Sequence, residues 1–410
     1  MSKTLFINIK ELYGILPPEV KRLEGEMMDR VESLPNAFLL VEEGKIASFG
    51  KMENLSLDEM KGVEVVDLTG KRVMPAFCDS HTHIVYAKSR EQEFMDKIAG
   101  LSYEEIAKRG GGILNSADVL RKTSEDELYR ISCQRLEEMI EKGTGAMEIK
   151  SGYGLNLESE LKMLRVIKRM KENYSVVIKS TFLGAHAVGR EFTGRQQEYV
   201  DMVCREMIPA VASENLADYV DVFCDKGFFD VAQTAQILSA AAKYGIRPKI
   251  HANELDVSGG VQVGVDYGAV SVDHLERTTE VEMNYLKGSS TMPVMLPGAS
   301  FFLGMPYGNA KEFIKSGLGV ALASDYNPGS SPSGDMRFVW ALGCIKMHLT
   351  PNQAFNAVTI NGAYAMGAAD KVGSITVGKE AKFIVTREIP SLGFIPYCHH
   401  TPFIERVLSV

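Results

Sequence analysis

From residue 73 to residue 329, short apolar runs alternate with longer segments whose apolar residues recur every three or four positions. That texture signals βα units around a parallel sheet. The runs span 72–83 (RVMPAFCDSHTH), 145–154 (GAMEIKSGYG), 175–187 (SVVIKSTFLGAHA), 219–227, 247–254, 269–276, 290–298 and 319–329. Helical patterns such as EDELYRISCQRLEEMIEKG, ESELKMLRVIKRMKENY, AQTAQILSAAAKYG and NAKEFIKSGL fall between them. Eight runs, most preceded by a helix, predict an α/β fold of the (β/α)8 TIM-barrel type. Before the barrel, AFLLVEEGKIASFG and VEVVDLTGKRVMP alternate with period two and turn at Gly or Asn. After residue 330 come helices, then β-like GSITVGKEAKFIVTRE and FIERVLSV. The pattern therefore predicts a small β-sandwich domain formed from both termini, 1–72 with 371–410, around a barrel of 73–370.

Composition narrows the function. The 410 residues are 45% apolar and 24% charged, as in ordinary globular proteins. A formal net charge of −8, with no local Lys/Arg run, argues against nucleic-acid binding. The start, MSKTLFINIKELYGIL, lacks a signal-peptide pattern, and no stretch of about 18 apolar residues predicts a membrane span. Cys78, Cys133, Cys204, Cys224, Cys344 and Cys398 form no CxxC, which suits reduced thiols in a cytoplasmic protein.

In such barrels the active site forms at the C-terminal ends of the strands. Here those ends carry His81 and His83, Tyr153, His186, His251 with Glu254, Asp273 with His274, and Asp325 with Asn327. Five of the eight histidines in the chain fall there. His81 and His83 are two residues apart, so a strand turns both rings to one face. Alone the pair reads equally well as two core histidines. With His251 and Asp325 from strands across the barrel, it becomes an N/O metal site suited to Zn, Fe or Mn. Glu254, three residues past His251, is placed to hold the attacking water and carry a proton to a leaving nitrogen. His274 could polarise a carbonyl or take a proton, and otherwise reads as a core histidine tied to Asp273. By spacing, Arg90 reads first as a surface arginine paired with Glu91 or Glu93, although its geometry suits a carboxylate. DYNPGSSP offers Asn327, backbone amides near Gly329, and Ser330, or simply a turn.

Two motifs are set aside. GSITVGKE (373–380) ends in Glu380 where a phosphate loop needs Ser or Thr, and reads as a hairpin. Cys398-His399-His400 lacks a second ligand cluster and reads as a surface loop.

The strand-end set, together with the terminal β domain, resembles the amidohydrolase superfamily. SHTHIVYAKSREQEF, GGGI, EIKSGYGL, LGAHA, KIHANELDVSGG, DHLE and DYNPGSSP, in that order, resemble the imidazolonepropionase family within it. The resemblance implies hydrolytic ring opening of 4-imidazolone-5-propanoate to N-formimidoyl-L-glutamate, with one metal ion, zinc or iron, on His81, His83, His251 and Asp325. It places substrate contacts on Arg90, Tyr153, His186, Glu254, Asn327, Gly329 and Ser330, and catalysis on His274, Glu254 and Asp325. It further implies a small acid-bearing substrate and a homodimer. Ser80, Lys88 and Ser330 depart from the family pattern, and the sequence stops at Val410, short of the expected closing hairpin. Lys226 lies past the position of a metal-bridging lysine, which favours a single metal. The alternatives are a one-metal deaminase of a free heterocyclic base and a non-catalytic scaffold.

Overall fold

The structure, a computed structural model, describes residues 3–56, 62–101, 105 and 111–409. The chain opens with five strands: β1 (Lys3–Tyr13), β2 (Ser33–Glu42), β3 (Lys45–Lys51), β4 (Glu64–Asp67) and β5 (Arg72–Pro75). β2 and β3 meet at Glu43-Gly44, both at positive φ (52° and 71°). That backbone twist matches a two-residue hairpin. β1 shifts register between Phe6 and Ile9, pairing with β4 along one half and with β5 along the other.

Eight parallel strands follow: β6 (Phe77–Thr82), β7 (Thr144–Lys150), β8 (Val177–Ala185), β9 (Tyr219–Cys224), β10 (Arg247–Ala252), β11 (Ser271–His274), β12 (Met292–Met295) and β13 (Ala321–Leu322). They pair in chain order. Asp325 N–H donates to His81 O (3.0 Å) and His83 N–H to Tyr326 O (2.9 Å), which brings the two edges together as a barrel. All eight predicted runs are present. The first divides at Ala76: Arg72–Pro75 joins the terminal sheet, and Phe77–Thr82 begins the barrel. The eighth is regular strand only over Ala321–Leu322, because Asp325 takes a left-handed φ of 52° and Pro328 follows in a turn.

The helices wrap the barrel by their apolar stripes. Glu125–Glu141 buries Leu128, Leu136 and Met139, and Ser124 accepts the Glu127 N–H at its start. Leu157–Asn173 buries Met163, Leu164 and Ile167 behind an Asn156 cap. Each such side chain contributes roughly 1.5–3 kcal/mol by burial. Among the described residues, no helix is long and apolar enough to cross a membrane.

The chain ends with β14 (Lys382–Thr386), paired with β5, and β15 (Ile404–Ser409), paired with β14. With β1–β5 they make a seven-stranded sheet over a core of Phe6, Ile9, Leu12, Leu39, Val73 and Phe383. The segment 373–380 is not a hairpin with itself: Ile375 bridges Ile15 and Glu380 bridges Lys45. Cys398–His400 forms a surface turn after the helix Phe394–Tyr397. Of GGGI, Gly110 lies outside the described residues, as does Val410.

Candidate active site and metal centre

The strand ends converge on one cavity of about 560 Å³. Of the predicted site residues, eleven line it: His83, Arg90, Tyr153, His186, His251, Glu254, His274, Asp325, Asn327, Gly329 and Ser330. The twelfth, His81, lies just beneath the floor, with no exposed surface.

Three histidines, His81 among them, and one carboxylate cluster at and just beneath that floor. His81 Nε2 is 3.2 Å from His83 Nε2, and Asp325 Oδ1 is 3.5 Å from each. The His81 and His251 rings are 4.5 Å apart. His81 Nδ1 is held by Asp273 Oδ2 at 2.6 Å. His251 Nδ1 lies 2.9 Å from Asp221 Oδ2, though off the line of a straight hydrogen bond. Both rings therefore turn Nδ1 to a carboxylate and Nε2 toward the cavity. Burial is the main reason that His81 and His83 are held well below the usual imidazole range, and it takes His251 to about 3.

This donor set fits a metal ion. His81 Nε2 and His83 Nε2 face one another at 3.2 Å, and His83 Nδ1 is buried without a partner. Two ligands about 2.1 Å from a common centre at the tetrahedral angle are about 3.4 Å apart, close to the separations found. The ligand atoms of His81, His83 and Asp325 lie within 4.8 Å of one another, as do those of His81, His251 and His274. Lys226 is remote from the cluster; it pairs with Asp256 at 3.0 Å on the surface.

Above the floor stand two groups suited to proton transfer. Burial opposes charge on His274, but Glu254, Glu276 and Asp325 more than offset it and raise the imidazole to about 10. Its Nδ1 is 3.7 Å from Glu254 Oε2 and 3.6 Å from Glu276 Oε2. His274 is thus not tied to Asp273, which faces His81 instead. Burial raises Asp325 to about 7 against the opposing charge of His274, and burial likewise raises Glu254. Glu254 sits on a loop whose N–H groups at 254, 255 and 256 all donate to Asp225. His274 (φ 87°) and Asp325 (φ 52°) are both left-handed, a conformation that costs non-glycine residues about 1–3 kcal/mol.

The cavity wall and mouth complete the site. His186 stacks on His83 (5.4 Å, 19°), its Nδ1 is 3.0 Å from Gly152 O, and burial takes it to about 4. Tyr153 packs edge-on to His186 at 5.5 Å, with Phe223 and Phe228 stacked nearby at 4.0 Å. Arg90 does pair with Glu93, through Nε (2.8 Å) and Nη2 (2.5 Å), yet it also lines the cavity, with Nη1 toward Gly329. Glu93 accepts the Gly112 N–H as well, at 2.9 Å. The amides of Gly329 and Ser330 are not open to a ligand: both donate to Asn327 Oδ1, at 2.7 and 2.8 Å. Ser330 Oγ donates instead to Asp325 Oδ2 (3.2 Å).

Sequence reasoning missed Glu148, Lys150, Asp221 and Lys249, all fully buried under the floor. Their signal is a charged residue inside an apolar strand run, as in AMEIK and YVDVF.

The sequence matches the amidohydrolase family over residues 72–395. It is 52% identical to the imidazolonepropionase of Christiangramia forsetii, covering 98% of each chain. It is also 52% identical to the imidazolonepropionase of Flavobacterium johnsoniae, covering 99% of this chain and 98% of that one. Guanine deaminase from E. coli shares the fold, with a TM-score of 0.74 at 14% identity, covering 100% of this chain and 98% of the other.

Proposed function

The chain belongs to the amidohydrolase family, among its imidazolonepropionases, and from that premise we propose that it opens the ring of 4-imidazolone-5-propanoate by hydrolysis, giving N-formimidoyl-L-glutamate in histidine degradation. One observation supports this reading above the others. One cavity, with His81 buried behind it, joins His83, His251 and Asp325 to a second carboxylate, an imidazole raised by its carboxylate neighbours, and an arginine.

His81, His83, His251 and Asp325 would hold one metal ion, with zinc or iron suiting the N/O donors. When bound, such an ion supplies an acidified water as nucleophile. Asp325, raised to about 7 and fixed by Ser330 Oγ, is placed to take the water proton. As the water oxygen bonds to the ring carbonyl carbon, the cationic His274 faces the negative charge that develops on the carbonyl oxygen. Glu254, raised by burial, delivers a proton to the ring nitrogen as its bond to that carbon breaks. Arg90 holds the propanoate, and Tyr153 and His186 wall the ring. Asn327 and Gly329 shape the loop behind Arg90 and Asp325. The setting we propose is a cytoplasmic homodimer.

Incubating metal-loaded protein with imidazolone propanoate should yield formimidoylglutamate by NMR. No such product, with ammonia released from a purine or pyrimidine base, would favour a deaminase. A folded protein that takes up no metal would favour a scaffold.

A further inference from the structure

Beneath the floor of the cavity lies a buried charged layer of Glu148, Lys150, Asp221, Lys249 and Asp273, each with no exposed surface. Lys150 on β7 sits at its centre. Its ammonium donates to Glu148 Oε1 and Asp221 Oδ2, both at 2.8 Å, and lies 3.8 Å from Asp273 Oδ2. Asp221 and Asp273 are the carboxylates that face His251 and His81. A single cation thus reaches, from one strand, the supports of two candidate ligands on two other strands. Lys249 donates to the carbonyls of Ser80 (2.8 Å) and Ala365 (3.2 Å) and shares Asp273 with Lys150 at 3.7 Å, while Ser271 Oγ donates to the other Asp273 oxygen (2.5 Å).

A carboxylate behind a metal-binding histidine sets the rotation of its ring and which nitrogen faces the ion. The carboxylate must itself be held, and in a layer with no exposed surface the buried side-chain donors are placed to do that. We propose that Lys150 is a positioning residue of the metal centre: by anchoring Asp221 and Asp273 together, it turns the Nε2 atoms of His251 and His81 toward one point. The inference rests on the metal reading given above but not on the identity of the substrate. Lys150 hydrogen-bonds none of the candidate metal ligands and does not line the cavity; it acts through the two carboxylates and through its charge beneath His81 and His251.

The test uses cobalt(II) alone as probe, on the full chain stripped of metal. Lys150→Met keeps the length of the side chain and removes the cation. It also unbalances the buried layer, so the informative variant is Lys150→Met/Glu148→Gln, which restores the charge count. We expect the double variant to fold, with a metal-free melting temperature near that of the stripped parent. Its cobalt affinity should fall roughly 10–100-fold, its release to a chelator should quicken, and its visible cobalt bands should shift. Lys150→Arg should recover part of the affinity.

Unchanged affinity and bands in the folded double variant would overturn the proposal, leaving Lys150 as charge balance only. A double variant that does not fold would assign Lys150 to barrel stability and overturn it too. Failure of the parent itself to bind cobalt would instead overturn the metal reading. A parent that binds cobalt but does not open the imidazolone ring leaves the role of Lys150 standing and removes only the substrate assignment.

Discussion

Arg90→Ala separates substrate anchoring from chemistry. Arg90 is the guanidinium at the cavity wall, and its side chain is only 13% exposed. Losing a charge-assisted hydrogen bond to the propanoate costs about 1.5–3 kcal/mol. At about 1.4 kcal/mol per tenfold, KM rises roughly 10–150-fold. Truncation has a second effect. It strips Glu93 of its two hydrogen bonds from Arg90 and leaves that carboxylate, 12% exposed, facing an acidic substrate. Two like charges about 6 Å apart at an effective dielectric of about 20 repel by about 3 kcal/mol, a further factor of roughly 100. Arg90→Ala/Glu93→Gln removes the repulsion and should recover most of that second factor. Initial rates over a range of substrate at saturating metal read both parameters. The kcat should change little, since Arg90 is remote from the bond that breaks. An unchanged KM in Arg90→Ala, or a double variant no better than the single, would refute the reasoning.

Other perturbations follow from the same geometry. Glu254→Gln should cut kcat roughly 10²–10⁴-fold with a small change in KM. In the parent, kcat should fall as pH rises through the raised pKa of Glu254, because the acid form is the donor; a pH profile of the variant should lack that limb. Asp218, although burial opposes its charge, is taken down to about 2 by Lys171, Lys179 and the Ser180 N–H. A depressed carboxylate stabilises the fold above its unfolded pKa, and this is lost as pH falls from about 4 to about 2. Asp218→Asn should therefore cost up to about 2 kcal/mol in urea unfolding at pH 7 and little near pH 2. Gly362 in the helix Ile360–Ala365 packs against the barrel so closely that a Cβ would fall on the carbonyl oxygen of Cys78. Gly362→Ala should cost about 1–3 kcal/mol by overpacking, seen in denaturant midpoints.

The barrel was legible because its strands are apolar runs that end abruptly in polar residues. Period-two spacing alone placed His81 and His83 on one face, and the ends of the fifth and eighth runs supplied His251 and Asp325. Where the backbone departs from regularity, the reading failed. Left-handed φ at Asp325 cuts the eighth strand short, and no periodicity announces that turn. The Gly329 and Ser330 amides looked open to a ligand, but the Asn327 side chain takes both. Arg90 pairs with Glu93, as spacing favoured, and it also lines the cavity, which spacing did not foresee. The Lys150 layer was hidden for another reason. The contacts of Lys150 with Asp221 and Asp273 join residues 71 positions or more apart, and only the closed barrel brings such partners together.

The central claim is that water opens the imidazolone ring at its carbonyl carbon in the cavity above the cluster of His81, His83, His251 and Asp325. The most direct measurement is turnover of imidazolone propanoate in ¹⁸O-water by metal-loaded protein, followed by mass spectrometry. The account predicts formimidoylglutamate carrying one ¹⁸O in its newly formed carboxylate. Unlabelled product, or release of ammonia without ring opening, would contradict it.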